Sequence, residues 1–307
     1  MVVDAHIHIQ PWRQFLPRAL DTMTFGRKEA ARIRALCDDP GSFLRFLDEE
    51  GIDRAVLINY VSPDIIGFTD EVNAFIGNYC RGHEDRLVPV GGIHPRLSKD
   101  PAGELGRIAE RHGIRALKLH PPHQLFRVNA YRDGGALSGL ARFYERAADL
   151  GLPVIIHTGT SIFPGARNKY GDPMDIDDLA VDFPDLTIVM AHGGRPLWME
   201  TCFFLLRRHP NVFMDISGIP PRSLLAYFPR LAEIAGKTLF GTDWPGPGVP
   251  GVRGNVEAFQ ALPLPPEARE AILSGTAARV FPPGLRRPEA RKASREARRQ
   301  PARRGPS

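Results

Sequence analysis

The sequence predicts an α/β protein whose single domain is a (β/α)8 barrel, and three observations carry that prediction. Short runs rich in β-branched and apolar residues alternate with helical segments, which is typical of a parallel sheet. Eight such units fit into about 280 residues, the usual size of a TIM barrel. The first run is followed by HIHIQPW, which lacks the glycine-rich loop that an open doubly wound sheet usually has there.

The eight expected strands and the helices between them can be placed in order along the chain. The strands are expected at 2–9, 54–60, 87–93, 115–120, 153–159, 186–192, 211–217 and 238–244. Helices are expected at 41–50, 70–82, 100–112, 137–150, 175–182, 197–208, 222–235 and, in two pieces, 255–279. Ser42 is expected to cap the first helix and Gly51 to end it. Segments 10–40 and 160–174 are expected as long loops, which are often functional in compact domains.

The barrel domain is expected to span residues 1–281, and a basic tail to follow over 282–307. The tail carries nine Lys and Arg against two Glu, a net charge of +7, so the +5 of the whole chain leaves −2 for the domain. Since the tail has few large apolar residues, it is expected to be disordered and dispensable. It has no aromatic side chains to stack on bases, so nucleic acid is not an expected partner.

The composition excludes some classes of protein. The chain is 43% hydrophobic and 24% charged, as in soluble globular proteins. No run approaches the roughly 18 apolar residues of a membrane span, and the start has no signal-peptide pattern. The three cysteines form no CxxC pair, which is typical of reduced thiols in a cytoplasm. The expected partner is a small-molecule substrate, and a homo-oligomer is left open.

Two histidines stand in the first expected strand, within VVDAHIHI. Residues two apart share a face of a strand, so His6 and His8 are expected side by side, with apolar neighbours on the opposite face. Two imidazoles on an otherwise buried strand are costly unless something uses them. The strand is therefore either an edge strand with a wet face or half of a metal site.

Three further strands end in residues of the same kind. His157 closes the fifth strand, His192 the sixth and Asp243 the eighth. In a barrel these ends converge on the mouth where active sites lie. Imidazole and carboxylate groups are ligands of zinc and similar divalent ions. The sequence therefore favours a metal site over an edge strand.

The whole pattern resembles a known family. DAHIHI, PVIIHTG, DFPDLTIVMAHGGRP, NVFMDISG and LFGTDWP resemble the amidohydrolase superfamily, within it the amidohydrolase-related branch that includes aminocarboxymuconate-semialdehyde decarboxylase. The likeness covers about residues 2–280. It implies His6, His8, His157 and Asp243 as ligands of one divalent ion, zinc or alternatively manganese. It implies His192 as the acid/base group that orients or deprotonates metal-bound water, and Asp243 is expected to be able to accept that proton as well.

The fourth strand adds Lys118 and His120 on one face of RALKLH. We expect Lys118 to attract a carboxylate-bearing substrate, with His120 beside it. Two alternatives stay open. In binuclear members of the superfamily a lysine of this strand is carboxylated and bridges two metals, and Lys118 would then do so. In the other alternative, Lys118 pairs with a buried acid such as Asp215.

Three residues in the loops after the fifth and sixth strands complete the predicted substrate contacts. Arg167 and Tyr170 lie in the long loop after the fifth strand and are expected to form an anion-binding lid. Arg195 follows in HGGRP and is expected to reach the pocket.

The predicted function is that of a metal-dependent hydrolase, in which metal-activated water attacks a carbonyl of a small, carboxylate-bearing substrate. One alternative is a metal-dependent nonoxidative decarboxylase, a carboxy-lyase of an unsaturated or aromatic acid. The second is a barrel that binds a ligand without catalysis. No GxSxG elbow and no nucleotide-binding glycine loop is present, so serine-esterase and nucleotide chemistry are excluded.

Overall fold

A computed structural model of the chain describes residues 1–132 and 135–282. The tail expected over 282–307 lies outside the described residues except for Pro282, so its expected disorder stays a prediction. Among the described residues, no helix combines the length and the apolar composition needed to cross a membrane.

Eight parallel strands form one sheet in which each strand pairs with its neighbour in sequence. They are β1 (Val3–Ile7), β2 (Arg54–Leu57), β3 (Leu87–Gly91), β4 (Ala116–Leu119), β5 (Val154–His157), β6 (Ile188–Ala191), β7 (Val212–Asp215) and β8 (Thr238–Leu239). Backbone hydrogen bonds close the sheet between its first and last strands. The Ala5 N–H donates to the Phe240 carbonyl at 2.8 Å, and the Asp243 N–H donates to the His6 carbonyl at 2.8 Å. The predicted (β/α)8 barrel is therefore confirmed.

Helices connect the strands. They are α1 (Pro17–Thr24), α2 (Ala30–Asp38), α3 (Pro40–Glu50), α4 (Glu71–Cys80), α5 (Pro101–His112), α6 (Pro121–Gln124), α7 (Gly139–Leu150), α8 (Asp175–Asp182), α9 (Met199–Arg208), α10 (Pro221–Tyr227), α11 (Arg253–Gln260), α12 (Pro266–Glu270) and α13 (Thr276–Val280). A π-helical turn, Ala271–Gly275, joins the last two. Short 3₁₀ turns occupy Trp12–Gln14, Asn168–Gly171, His192–Gly194 and Leu231–Lys237.

The prediction of an irregular loop over 10–40 is wrong, because α1 and α2 lie within it. Helix α2 buries Ile33, Leu36 and Cys37, whose spacing of three and four residues is that of one helical face. The expected cap of α3 is also wrong. The Asp39 carboxylate accepts hydrogen bonds from the Gly41 and Ser42 N–H groups, so Asp39 is the N-cap and Pro40 the first helical residue.

The interior of the barrel changes from apolar to polar along the strands. Ala116, Ile155 and Val189 belong to one buried apolar cluster. Two residues further along β4 and β5, on the same strand face, stand Lys118 and His157. The apolar layer supports the barrel from below, and the polar layer lies at its C-terminal end.

The buried amide of Asn73 joins α4 to the end of β3. Its Oδ1 accepts from the Gly92 N–H at 2.8 Å, and its Nδ2 donates to the Gly92 carbonyl at 3.0 Å. A Cβ at Gly91 would lie 2.2 Å from Asn73 Oδ1, so only glycine leaves room for this contact.

We expect Asn73→Ala to lower the free energy of unfolding by about 1–3 kcal/mol, because it leaves buried backbone groups of Gly92 unpaired. Urea unfolding followed by circular dichroism measures the change. Asn78→Ala is the matched control, since Asn78 is exposed in the same helix, and it should change stability by no more than about 0.5 kcal/mol. Equal effects of the two substitutions would contradict this role of Asn73.

Candidate metal centre and active-site pocket

The C-terminal ends of the strands surround one pocket. Its walls include His8, Lys118, His157, His192, Arg195 and Asp243. His6 lies beneath this pocket and is completely buried. The barrel therefore brings together the ligands and the acid/base residue predicted from the sequence.

Two groups of possible metal ligands share His6, one with His192 and Asp215 and the other with His8 and Asp243, and only the second has every member in the ligand set implied by the family resemblance. Asp243 Oδ1 lies 3.1 Å from His8 Nε2 and 3.7 Å from His6 Nε2. One ligand atom from each of the three residues lies within 4.8 Å of the others. Ligands of a single divalent ion each stand about 2.0–2.2 Å from it, so atoms this close together can share one ion.

His157 faces the same pocket from β5 but is less close to that group. Its ring packs edge-on against His192, with ring centroids 4.7 Å apart. Among the described residues, no group that includes His157 meets the same 4.8 Å separation. The fourth ligand implied by the family resemblance therefore remains a prediction.

Unpaired buried nitrogens support the presence of an ion. His6 Nε2 and His157 Nε2 are buried and have no hydrogen-bond partner among the described residues. Buried polar atoms in folded proteins are almost always paired, and a divalent ion would pair both of these. Two kinds of ligand, imidazole nitrogen and carboxylate oxygen, are available, and both zinc and manganese accept them. The residues present therefore fit a divalent ion.

Acceptors behind the histidines orient their rings. Asp215 Oδ2 accepts from His6 Nδ1 at 2.9 Å, and His8 Nδ1 lies 3.2 Å from the Ile58 carbonyl and 3.3 Å from the amide nitrogen of Gln10. A ring that donates through Nδ1 has an unprotonated Nε2, which is the form that binds a metal. His6 therefore presents its Nε2 lone pair towards Asp243, while the contacts of His8 allow either tautomer of its ring.

His192 is held in the same tautomer as His6. The Ser217 carbonyl, which can only accept, lies 3.1 Å from His192 Nδ1, and Ser217 Oγ lies 2.8 Å from it. The Ser217 hydroxyl itself donates to Asp215 Oδ1. His192 Nδ1 therefore carries the proton, and Nε2 is free to accept one.

Asp215 is the common support of these rings. Its Oδ1 also accepts from the backbone N–H groups of His192 and Ser217, each at 3.1 Å. Burial opposes ionisation of this carboxyl, but its interaction with His6, the charge of Lys118 and the hydrogen bond of Ser217 outweigh it and lower its pKa to about 2. Asp215 is therefore a carboxylate committed to the histidines.

Lys118 has no such partner. Its side chain is 1% exposed, and its Nζ forms no hydrogen bond with the described residues. The alternative in which Lys118 pairs with Asp215 is therefore wrong. Burial lowers the pKa of Lys118 to about 8, although the charges of Asp215 and Asp243 oppose the shift. At neutral pH the pocket therefore contains an unpaired buried ammonium.

Two other groups with unpaired nitrogens stand near Lys118. His120 is stacked between His123 and His157, and its buried Nδ1 has no partner. Arg195 Nη2 lies 3.6 Å from Asp243 Oδ2, while the buried Nε of the same guanidinium is unpaired. Lys118 and Arg195 together make this wall of the pocket suited to an anion.

The predicted lid residues lie elsewhere. Neither Arg167 nor Tyr170 lines this pocket. Tyr170 borders a second groove, where Lys169 Nζ stands 5.0 Å from the centre of its ring. The loop after β5 reaches the pocket through Ser161, Ile162 and Phe163 instead.

The pocket is also lined by Tyr60, His123 and Ser161, which are not predicted from the sequence. His123 Nδ1 lies 2.9 Å from the Tyr60 hydroxyl, and His123 Nε2 lies 2.7 Å from Ser161 Oγ. The only signal in the sequence was the second histidine of HPPH, three residues after His120.

His192 and Asp243 also have unusual backbones. Their φ angles are 66° and 69°, in the left-handed region that disfavours residues other than glycine. Such conformations cluster where the surrounding structure fixes functional side chains. At both positions the backbone turn directs the side chain into the mouth of the barrel.

Comparisons with known proteins agree with the barrel fold. A model of the amidohydrolase family matches residues 3–282. None of the curated protein sequences compared with the chain matches it. An uncharacterized TIM-barrel protein from Bordetella bronchiseptica is 25% identical, with a TM-score of 0.70 over 91% of this chain and 97% of that one.

Decarboxylases have the same fold. The 5-carboxyvanillate decarboxylase LigW from Sphingomonas paucimobilis is 17% identical, with a TM-score of 0.63 over 92% of this chain and 99% of that one. A dihydroxybenzoic acid decarboxylase from a Polaromonas species, with bound manganese and the inhibitor 2-nitroresorcinol, is 16% identical, with a TM-score of 0.61 over 91% and 96%. At these identities the likeness concerns the fold alone.

Proposed function

The chain belongs to the amidohydrolase family, and from that premise we propose that it is a metal-dependent hydrolase of a small, carboxylate-bearing molecule. The observation that carries the proposal is the tautomer of His192. Its Nδ1 proton is committed to Ser217, so its Nε2 can take a proton inside the pocket that His8 and Asp243 line. A positioned base of this kind is what hydrolysis requires.

The proposed ligands of the ion are His6, His8, His157 and Asp243. The chemistry that a divalent ion supplies when bound is polarisation of a carbonyl and a lowered pKa of water. Zinc and manganese both suit this donor set, and the Polaromonas decarboxylase contains manganese.

The protein's own groups divide the remaining tasks. His192 Nε2 accepts the proton of the attacking water, and the hydrogen bonds of Ser217 and Asp215 hold the ring in place. Lys118 and Arg195 bind the substrate carboxylate, and His120 contacts it beside them. A buried cation binds an anion strongly because little water screens the charges.

Nonoxidative decarboxylation is the second candidate. It is favoured by the unpaired Lys118 ammonium and by the decarboxylases among the solved structures of this fold. The same residues would serve, but His192 would carry a proton to the substrate carbon instead of taking one from water.

A substrate screen tests the proposal. The full-length protein, reconstituted with zinc or manganese, is offered lactones, amides and carboxylated aromatics. We expect turnover of carboxylate-bearing lactones or amides with addition of water, lost in His192→Ala. If only the aromatic acids react, and they release carbon dioxide, the protein is a decarboxylase and the hydrolase proposal is wrong.

We expect metal analysis of the reconstituted protein to find one tightly bound ion per chain, since the two compact ligand groups among the described residues share His6. Inductively coupled plasma mass spectrometry measures the ratio. Two ions per chain, together with activity that depends on carbon dioxide, would contradict this and make Lys118 a carboxylated bridge.

A further inference from the structure

The proposed function leaves one hydrogen-bonded group in the pocket without a role. The Tyr60 hydroxyl, the His123 ring and the Ser161 hydroxyl form a continuous relay, with heavy-atom distances of 2.9 and 2.7 Å. Tyr60 follows β2, His123 lies in α6 after β4, and Ser161 follows β5. We call these three residues the relay.

The relay contains one more hydrogen than its own bonds can use. Burial, together with the charges of Lys118 and His8, lowers the pKa of His123 to about 3, so the ring is neutral and carries one N–H. Tyr60 and Ser161 each add one O–H. Two hydrogen bonds consume two of these three hydrogens, and the third remains at one end of the relay.

The position of the third hydrogen depends on the tautomer of His123. If Tyr60 donates to Nδ1, then Nε2–H donates to Ser161 and the Ser161 hydroxyl hydrogen is spare. If Ser161 donates to Nε2, then Nδ1–H donates to Tyr60 and the Tyr60 hydrogen is spare. His6 and His192 differ, because a carboxylate fixes the tautomer of the first and a carbonyl that of the second.

The spare hydrogen has no acceptor among the described residues. The Tyr60 hydroxyl has no hydrogen-bond partner there other than His123. Ser161 Oγ contacts only His123 and the Phe163 N–H, which is itself a donor. Because Tyr60 and Ser161 both line the pocket, a ligand bound there can supply the missing acceptor.

The relay lies one ring beyond the proposed metal ligands. The ring centroids of His123 and His120 are 3.5 Å apart, those of His120 and His157 are 3.8 Å apart, and His123 lies 6.5 Å from His157. A small molecule bound near His157 and Lys118 can therefore contact the relay through a second polar group.

We propose that the relay is a specificity site that donates one hydrogen bond to a substrate oxygen outside the carboxylate. This inference rests on the proposed function and narrows its substrate to small carboxylates that also carry an ether, carbonyl or hydroxyl oxygen away from the carboxylate. His123 acts as a positioning residue, because its single N–H leaves one hydroxyl, and no more than one, free to donate.

Isothermal titration calorimetry on the full-length, metal-loaded protein tests the proposal. The probes are 3- and 4-methoxybenzoate against 3- and 4-ethylbenzoate, pairs of similar shape that differ in one acceptor oxygen. We expect at least one methoxy probe to bind roughly two- to tenfold more tightly than its ethyl partner. Each single variant, Tyr60→Phe or Ser161→Ala, should keep the hydroxyl donor at the other end of the relay. The double variant Tyr60→Phe/Ser161→Ala should lose the preference for methoxy over ethyl probes.

Controls separate the relay from the rest of the pocket. Tyr131→Phe removes a phenolic hydroxyl that lies outside the relay and donates to Asp182. This variant should keep the preference for methoxy over ethyl probes. Lys118→Met should weaken all probes together, since it removes the proposed carboxylate contact.

Two outcomes would overturn the relay proposal. A methoxy preference that persists in the double variant, or methoxy and ethyl probes that bind the unaltered protein equally, would refute it. In both cases binding that still depends on Lys118 would leave the proposed function standing. Failure of every probe to bind would count against both.

Discussion

Replacement of His192 by alanine is expected to slow the chemical step by roughly 10²–10⁴-fold, the usual contribution of a positioned acid/base group. The metal content and the fold should change little, because Asp215, Ser217 and the ligand histidines remain in place. The rate is measured as kcat with the substrate found by screening, and the metal content by mass spectrometry of the same preparation.

Ser217→Ala provides a graded comparison. It removes the hydroxyl beside His192 Nδ1 but keeps the Ser217 backbone carbonyl as an acceptor. We expect a smaller loss of kcat than in His192→Ala. If His192→Ala lost its metal as completely as a ligand variant does, His192 would be a ligand, and the division of roles proposed above would be wrong.

Replacement of His157 by alanine is expected to remove the ion from the protein and with it nearly all activity. His157 Nε2 is buried without a partner, and its loss would leave His6, His8 and Asp243 to hold the ion alone. Metal content after dialysis and the shift of Tm on adding zinc or manganese both measure this, and neither depends on a substrate.

His83→Ala is the control, because His83 precedes β3 at the opposite end of the barrel. It should retain the ion and the Tm shift of the unaltered protein. Full metal retention by His157→Ala would contradict the four-ligand assignment and leave His6, His8 and Asp243 as the ligands.

The order of strands and helices could be predicted from sequence because each parallel strand is a short apolar run flanked by helical segments. The missed helices show the limit of that reasoning. The segment around α1 and α2 interrupts the regular alternation after β1, so it was assigned to a loop although Ile33, Leu36 and Cys37 have helical spacing. The wrong cap of α3 has a similar cause, since Asp39 and Ser42 both suit an N-cap, and Pro40 decides between them.

The residues at the strand ends could also be predicted, because the barrel alone determines that those ends converge. The hydrogen-bond partners that hold these residues in place could not be predicted, since they come from distant segments of the chain. The bond between Asp215 and His6 joins residues 209 positions apart, and that between His123 and Tyr60 spans 63. Arg167 and Tyr170 were chosen for their chemistry, but the course of their loop takes Tyr170 to another groove.

One oxygen of the Asp215 carboxylate accepts from the His6 ring, and the other accepts from the Ser217 hydroxyl that contacts the His192 ring. This carboxylate therefore supports two imidazoles at once. His6 and His192 therefore cannot evolve independently, because a change that moves this carboxylate disturbs ion binding and proton transfer together. Substitutions at His6 and His192 should be strongly non-additive in a double-mutant cycle. Descendants of this protein that acquire a new reaction would then be expected to keep Asp215 and diversify the far wall of the pocket, where neither imidazole is affected.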